Sequence, residues 1–266
     1  MIDTLTPADA PAAASLSAGF GWPHRTEDWA WFLRVGSGIG WRENGMLLGT
    51  ALLFPLDAAH AAIGGVQVLA NLQGLGIGRQ LMQAAIASAG GRSLKLHATA
   101  AGAGLYARLG FRDHGVVEQW QGIVGPGHGT PTLATIADLP AIHALDQAAT
   151  GLDRLALLQS LLEVSTVALA GPRHAPSGYA MRRMFGRGAL LGPIVAPNAT
   201  EAATLVAGLQ QPGFQRLDIP AGSGMIAALA EPGLASIEDV QVMVRGPWPT
   251  PVSGAQLLGL ASQAIG

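Results

Sequence analysis

Two hydrophobic periods alternate along the chain. Residues 26–35 ("TEDWAWFLRV") set Trp29, Phe32 and Leu33 at helical spacing, and helices are expected over 7–18, 26–35, 77–89 and 102–109. Strands are expected over 38–43, 46–55, 62–69, 93–98 and 115–122. Hairpin and βαβ signals occur together, which implies a mixed sheet rather than an all-parallel one.

The second half repeats the first. "LTPADAPAAASL" (5–16) resembles "ATIADLPAIHAL" (134–145), with Asp9 and Pro11 on Asp138 and Pro140 at a shift of 129. Gly49-Thr50-Ala51 meets Gly178-Tyr179-Ala180 at the same shift, and Ile63-Gly64 meets Leu191-Gly192 at 128. "LKLH" (94–97) then meets "LDIP" (217–220), and Leu109-Gly110-Phe111 meets Pro232-Gly233-Leu234, both at 123. Ordered matches with a slowly shrinking shift indicate two copies of one α/β unit, about five residues being lost from the second between Gly192 and "LDIP". "GIVGPGHGTP" (122–131) reads as a linker, so the units are expected at 1–124 and 132–249. In the remaining tail, 250–266, "GAQLLGLASQAIG" suits a short appended helix.

Composition narrows the chemistry. With 266 residues, 49% hydrophobic and 12% charged, the chain can bury a large core, which excludes disorder. Formal net charge is −2 and the arginines are scattered, so there is no electrostatic footprint for nucleic acid or an anionic membrane, and a small-molecule partner is expected. No cysteine is present, which removes disulfides, thiolate nucleophiles and Cys-based metal sites. The seven histidines lack HExxH spacing and there is no G-x-S-x-G elbow, so neither a metal nor a nucleophilic serine is expected. "MIDTLTPADA" carries Asp3 and Asp9 where a secretory signal would be positive and then apolar. The longest apolar stretch, Met46 to Leu56, is about half of the ~20 residues a spanning helix needs. A cytoplasmic location is therefore expected, with monomer and homodimer both open.

The most informative stretch is "QGLGIGR" (73–79), between an apolar run (66–72) and a helical one. A strand, a Gly-rich turn and a helix N-terminus together present backbone N–H groups to phosphate oxygens. Three phosphate loops compete. A dinucleotide fingerprint counted from Gly74 would need glycine where Arg79 stands, and a Walker A loop would need Gly-Lys-Ser/Thr. Gln73, Gly76 and Gly78 do fit Q/R-x-x-G-x-G/A, the pyrophosphate loop of the GNAT-superfamily acyl-CoA transferases.

The resemblance to that family extends through "VQV" (66–68), where such enzymes pair a strand with pantetheine amides, and "LYARLGF" (105–111), similar to their late helix-to-strand signature. Ala70, Asn71 and Leu72 depart from the residues usual there. "LDQAATGLDRLALL", "GYAMR" and "LGPIVAP" in the second half look like a subgroup in which a second, divergent domain follows the first. The fold implied is two tandem GNAT-like domains, each a mixed, mostly antiparallel sheet flanked by helices.

The resemblance implies acetyl-CoA as cosubstrate and transfer of an acetyl group to the amine of a small molecule. Amides of Gln73, Gly74, Leu75, Gly76, Ile77, Gly78 and Arg79 would receive the pyrophosphate, with the Arg79 and Gln73 side chains adding donors. Val66 and Val68 would bond pantetheine through their main chain. Tyr106, at the family's position for the acid, would protonate the departing thiolate, although a tyrosine packed against a sheet is also common as core with its hydroxyl tied off. Glu27, Asp28, Glu43, His97 and a water chain all remain open as the base. Trp22, in a loop ahead of Pro23, is the aromatic best placed to touch an acceptor, with Glu27 nearby.

The second unit is expected to bind no CoA. At a shift of 128, Gln73, Gly76 and Gly78 fall on Glu201, Thr204 and Val206, and at 123 Tyr106 falls on Leu229. Either it completes the acceptor pocket between the domains or it only stabilises the chain. Asp146, Asp153 and Arg154 suit both recognition of a polar acceptor and a surface ion pair. Direct attack of the amine is the expected route, and a CoA-binding module without turnover is the alternative.

Overall fold

Thr6 and Asp9 form a capping box at the first turn, the Asp9 carboxylate accepting from the Thr6 N–H at 2.8 Å; 129 positions on, Thr135 and Asp138 do the same at 2.7 Å. The computed structural model that shows this describes residues 1–231, 233–251 and 254–266. Pro232 of the repeat match and Val252 and Ser253 of the tail lie outside the described residues.

The first unit runs β1 (Ile2–Leu5), α1 (Ala10–Ala18), α2 (Thr26–Val35), β2 (Ser37–Glu43), β3 (Met46–Pro55), β4 (His60–Val68), α3 (Ile77–Ser88), β5 (Ser93–Ala98), α4 (Ala100–Arg108) and β6 (Arg112–Val124). The second runs β7 (Thr132–Leu133), α5 (Leu139–Thr150), α6 (Leu155–Leu162), β8 (Thr166–Ala170), β9 (Gly178–Phe185), β10 (Gly188–Ala196), α7 (Ala199–Leu209), β11 (Gly213–Pro220), α8 (Met225–Leu229) and β12 (Leu234–Arg245). The register repeats as well. Leu53 pairs with Ile63 across β3 and β4, and Arg182 pairs with Leu191 across β9 and β10.

The two units exchange their last strands. Sheet order is β1-β2-β3-β4-β5-β12-β6-β11-β10-β9-β8-β7, so β12 sits between β5 and β6, and β6 sits between β12 and β11. Each unit therefore completes the other's sheet, through antiparallel ladders from Gln241 opposite Ala98 and from Gly213 opposite Val124. One core cluster joins the units: Trp29, Phe32 and Phe54 of the first pack with Leu158, Tyr179 and Phe185 of the second. Separate clusters lie beneath α3 and α4, and beneath α7 and α8.

The tail corrects the expectation of an appended helix. Gln256–Gly259 is a strand, β13, antiparallel to β10 with Ile194 opposite Gly259 and Ala196 opposite Gln256. The parallel β10–β11 ladder covers only Ala189 and Leu190, so the rest of β10 needs backbone partners on that side, and β13 supplies them. Leu258, Leu260, Ala261 and Ile265 are buried along it.

Asp146 and Arg154 form neither an acceptor site nor a surface pair. They are 0% and 1% exposed, and the guanidinium grips the carboxylate at 2.9 and 2.6 Å. The Tyr179 hydroxyl donates to the same Asp146 oxygen, and Arg154 Nη1 donates to the Gly266 carbonyl at 3.2 Å. Asp153 is exposed, against His143. Removing one partner of such a pair leaves an uncompensated buried charge. Asp146→Ala is expected to lower unfolding free energy by about 3–5 kcal/mol in a urea titration.

Candidate active site

The parallel ladder between β4 and β5 ends at Ile63 opposite Leu96, and beyond it Gly64–Val68 stays with β3 alone. Thr50 Oγ1 donates to the Gly65 carbonyl at 2.7 Å, and the Leu69 N–H donates to Leu48 at 2.8 Å. Because a strand alternates the side to which its peptide groups point, Val66 and Val68 direct theirs into the gap left by β5. The Val68 carbonyl accepts from Gln73 Nε2 at 3.1 Å.

Past that bond the main chain is bare. Among the described residues, the N–H groups of Gly74, Leu75, Gly76, Ile77, Gly78 and Arg79 donate to no acceptor. Gly74 and Gly76 have φ of 80° and 83°, so glycine is needed there for the backbone path. Gly76 also caps α3 without a side chain. Six successive donors at the positive end of a 12-residue helix form a cradle suited to a diphosphate. Gln73, Leu75 and Arg79 are exposed around it.

The gap opens into a cavity of about 460 Å³ shared by both units. Val66, Thr99 and Tyr106 line it at the parted strands, and Trp22 and His24 line it from the loop before α2. Tyr106 packs on Phe111, and its hydroxyl makes no hydrogen bond among the described residues, which sets it apart from a core tyrosine tied off by a partner. Burial pushes its pKa up to about 12.

Among the base candidates only His97 lines the cavity. Its Nδ1 lies 2.7 Å from the Gln263 carbonyl, an acceptor only, so Nδ1 carries the proton and Nε2 is left as an acceptor. Burial and then Lys95 hold His97 down to about pKa 3, so the ring is neutral. Glu27 is exposed on the first turn of α2, outside the cavity lining. Asp28 is buried against Arg25 at 2.7 Å and accepts from the Gly186 N–H at 2.9 Å. Glu43 accepts from Trp41 Nε1 at 3.3 Å, away from the cavity.

The second unit supplies the rest of the wall: Phe185 and Arg187 from the β9–β10 turn, Arg216 from β11 and Glu238 from β12. Glu238 is the one carboxylate among the lining residues. Gln119 and Gln121 of β6 form the floor, and Ser262, Gln263 and Ala264 close one side. That last segment is fixed by Asp218, which accepts from Leu260 and Gln263 N–H at 2.8 and 3.2 Å, and by Arg183, which donates to Ala261 at 2.7 Å. None of these residues stands out in the sequence. They become neighbours only through the strand exchange and the tail strand.

The second unit has no equivalent cradle. Only residues 197 and 198 separate β10 from α7, whereas 69–76 separate β4 from α3. The structural counterpart of Gly76 is Asn198, not Thr204, so the residues lost are the loop itself. The Asn198 side chain accepts from the Glu201 N–H at 2.9 Å and closes that helix end. The adjoining gap holds β13, on Ile194–Ala196, which match Val66–Val68 at the shift of 128.

An acetyltransferase (GNAT) family model matches residues 12–111, and an acetyltransferase (GNAT) domain model matches residues 142–259. The chain belongs to the GNAT family, as two such domains in tandem. A Pyrococcus horikoshii protein provisionally named an acetyltransferase shares the fold at TM-score 0.81 and 17% identity, over 100% of this chain and 95% of that one. A GCN5-related N-acetyltransferase from Sphaerobacter thermophilus is similar at 0.65 and 15%, over 95% and 98%. A tandem GNAT protein from the clavulanic acid biosynthesis pathway is similar at 0.61 and 14%, over 94% and 100%. No curated protein sequence matches the chain. Among the described residues there is no cluster of three or more metal-ligating side chains, and no helix is long and apolar enough to cross a membrane.

The buried imidazoles set an acid limit. His24, among Trp22, Trp29, Phe32 and Phe185, is held down to about pKa 4 by burial and then by Arg216. The unfolded chain protonates its histidines near pH 6.5, so between there and about 4 it binds more protons than the fold. The contribution of His24 is complete above pH 6.5 and falls as pH drops through that window. Denaturation midpoints measured from pH 7 to 4 should show a shallower decline for His24→Leu than for the wild type.

Proposed function

We propose that the chain is an acetyl-CoA-dependent N-acetyltransferase acting on a small-molecule amine by direct attack. The reading rests on one observation: an unpaired strand edge lines the same cavity as an unbonded tyrosine hydroxyl, and leads along the chain into a bare diphosphate cradle. Acetyl-CoA, when bound, supplies an acetyl group activated as a thioester. The amides of 74–79 and the Arg79 side chain hold its diphosphate, and the peptide groups of Val66 and Val68 align its pantetheine arm.

Positioning of this kind supplies a large part of the barrier reduction, on the order of 7–11 kcal/mol in favourable systems. The amine nitrogen forms the new bond to the acetyl carbon as the carbon–sulfur bond breaks. Tyr106, protonated throughout the working range, donates its proton to the departing sulfur and regains one from the second proton that the nitrogen loses on becoming an amide. Glu238 holds the incoming ammonium and accepts its proton, while His97 Nε2 accepts a hydrogen bond without becoming charged.

Replacing Tyr106 by Phe is expected to lower kcat by about 10²-fold or more, with CoA affinity by calorimetry kept. An unchanged kcat would remove Tyr106 as the acid. Thiol release that is absent with every amine tried, despite CoA binding, would favour a binding module instead. Gly76→Val, which forces a β-branched residue to positive φ, should abolish CoA binding while the protein remains folded by circular dichroism.

A further inference from the structure

We propose that the acceptor is a zwitterion, an amine that also carries a carboxylate, gripped at its two ends by oppositely charged side chains of the exchanged strands. This rests on the acyl-transfer reading above and specifies the substrate class of the same site.

The register of the three central strands gives the geometry. Glu238 of β12 lies opposite Gln119 of β6, and Arg216 of β11 lies opposite Gln121 of β6. Gln119 and Gln121 are two residues apart and share a face, so Glu238 and Arg216 flank the cavity floor diagonally. Two strand spacings across and one two-residue step along place their Cα atoms roughly 12 Å apart. Both line the cavity, a span suited to a small amino acid.

The two ends differ in what surrounds them. β12 pairs with β5 up to Gln241 opposite Ala98, so Glu238 lies beside Thr99 and the start of α4, where Tyr106 and the parted strands are. This is the end at which an ammonium must be held and deprotonated. Arg216 lies towards β10, and the β9–β10 turn brings Arg187 to the same cavity. Arg216 gives its Nε and one Nη2 hydrogen to Asp218 at 2.9 and 3.0 Å, which leaves three of its five N–H groups. Arg187 makes no hydrogen bond or ion pair within the described residues. Its turn is nonetheless fixed, with the Gly186 N–H on Asp28 and Gly186 against Pro23.

Between the charged ends the floor is neutral and polar. Gln263 donates to Gln119 at 3.3 Å, and Gln119 to Gln121 at 3.2 Å. Trp22 and Phe185 stand over it, suited to an apolar body. An amine without an anion would leave Arg187 and the free face of Arg216 unanswered, and a simple anion would leave Glu238 so. An amino acid answers both.

The test uses the intact protein with acetyl-CoA and three matched sets of acceptors: α- and ω-amino acids, their carboxamides and the corresponding decarboxylated amines. The expected result is that the best acceptor is an amino acid whose kcat/KM exceeds that of its carboxamide and amine by about tenfold or more, the scale of a charge-assisted contact. Arg187→Gln should shrink that ratio by raising KM for the amino acid, with CoA affinity unchanged by calorimetry. Amines turned over without preference for a carboxylate would overturn this inference and leave acyl transfer standing. Failure of every acceptor set with CoA bound would overturn both.

Discussion

The structure is organised around a strand edge that its own sheet does not satisfy. After Ile63 and Leu96 part, the peptide groups of Val66 and Val68 face open space, and after Leu190 and Arg216 part, β10 faces the same deficit. Backbone N–H and C=O groups cannot be buried unpaired without large cost, so each gap takes an occupant or stays accessible to solvent. In the second unit the occupant is covalent: β13 lies on Ile194–Ala196, and the loop that would cradle a phosphate has been deleted. In the first unit no described strand fills the gap, and the bare amides of 74–79 follow it along the chain. One fold thus meets one constraint in two ways, closed by a strand of the chain in one unit and left accessible from a cavity in the other.

The strand exchange turns two units into one site. Because β12 lies between β5 and β6, a carboxylate from the second unit, Glu238, lines the same cavity as the tyrosine of the first. The tail strand leads directly into Ser262–Ala264, so the segment that fills the inactive gap also walls the active cavity and fixes the tautomer of His97. The buried cluster of Asp146, Arg154 and Tyr179 anchors the far end of that segment. The second unit therefore contributes walls to the same cavity as the first.

Much of this was legible in the residues. Helix 26–35 and strands 46–55 and 93–98 lie where periodicity puts them, and the capping boxes at Thr6 and Thr135 confirm the repeat at its expected shift. The cradle could be read because positive φ and unpaired amides constrain residue type, leaving glycines at fixed spacing. Strand neighbours leave no comparable trace. Nothing in Arg112–Val124 or Leu234–Arg245 says which strand lies beside it, so Glu238, Arg216 and the glutamine floor were invisible. The tail was misread because 254–266 suits a helix locally, and only the exposed edge of β10 makes it a strand. Asp146 and Arg154 were misjudged for a similar reason, since burial of a charged pair depends on what closes over it.

The central claim is that one gap is open to a ligand and the other is filled by the chain itself. Calorimetric titration of the intact protein with CoA counts the open gaps directly. The account predicts one molecule bound per chain, a stoichiometry that stays at one up to the highest soluble concentration. Two per chain would show that β13 does not close the second gap, and none in a folded protein would show that the first is not the nucleotide site.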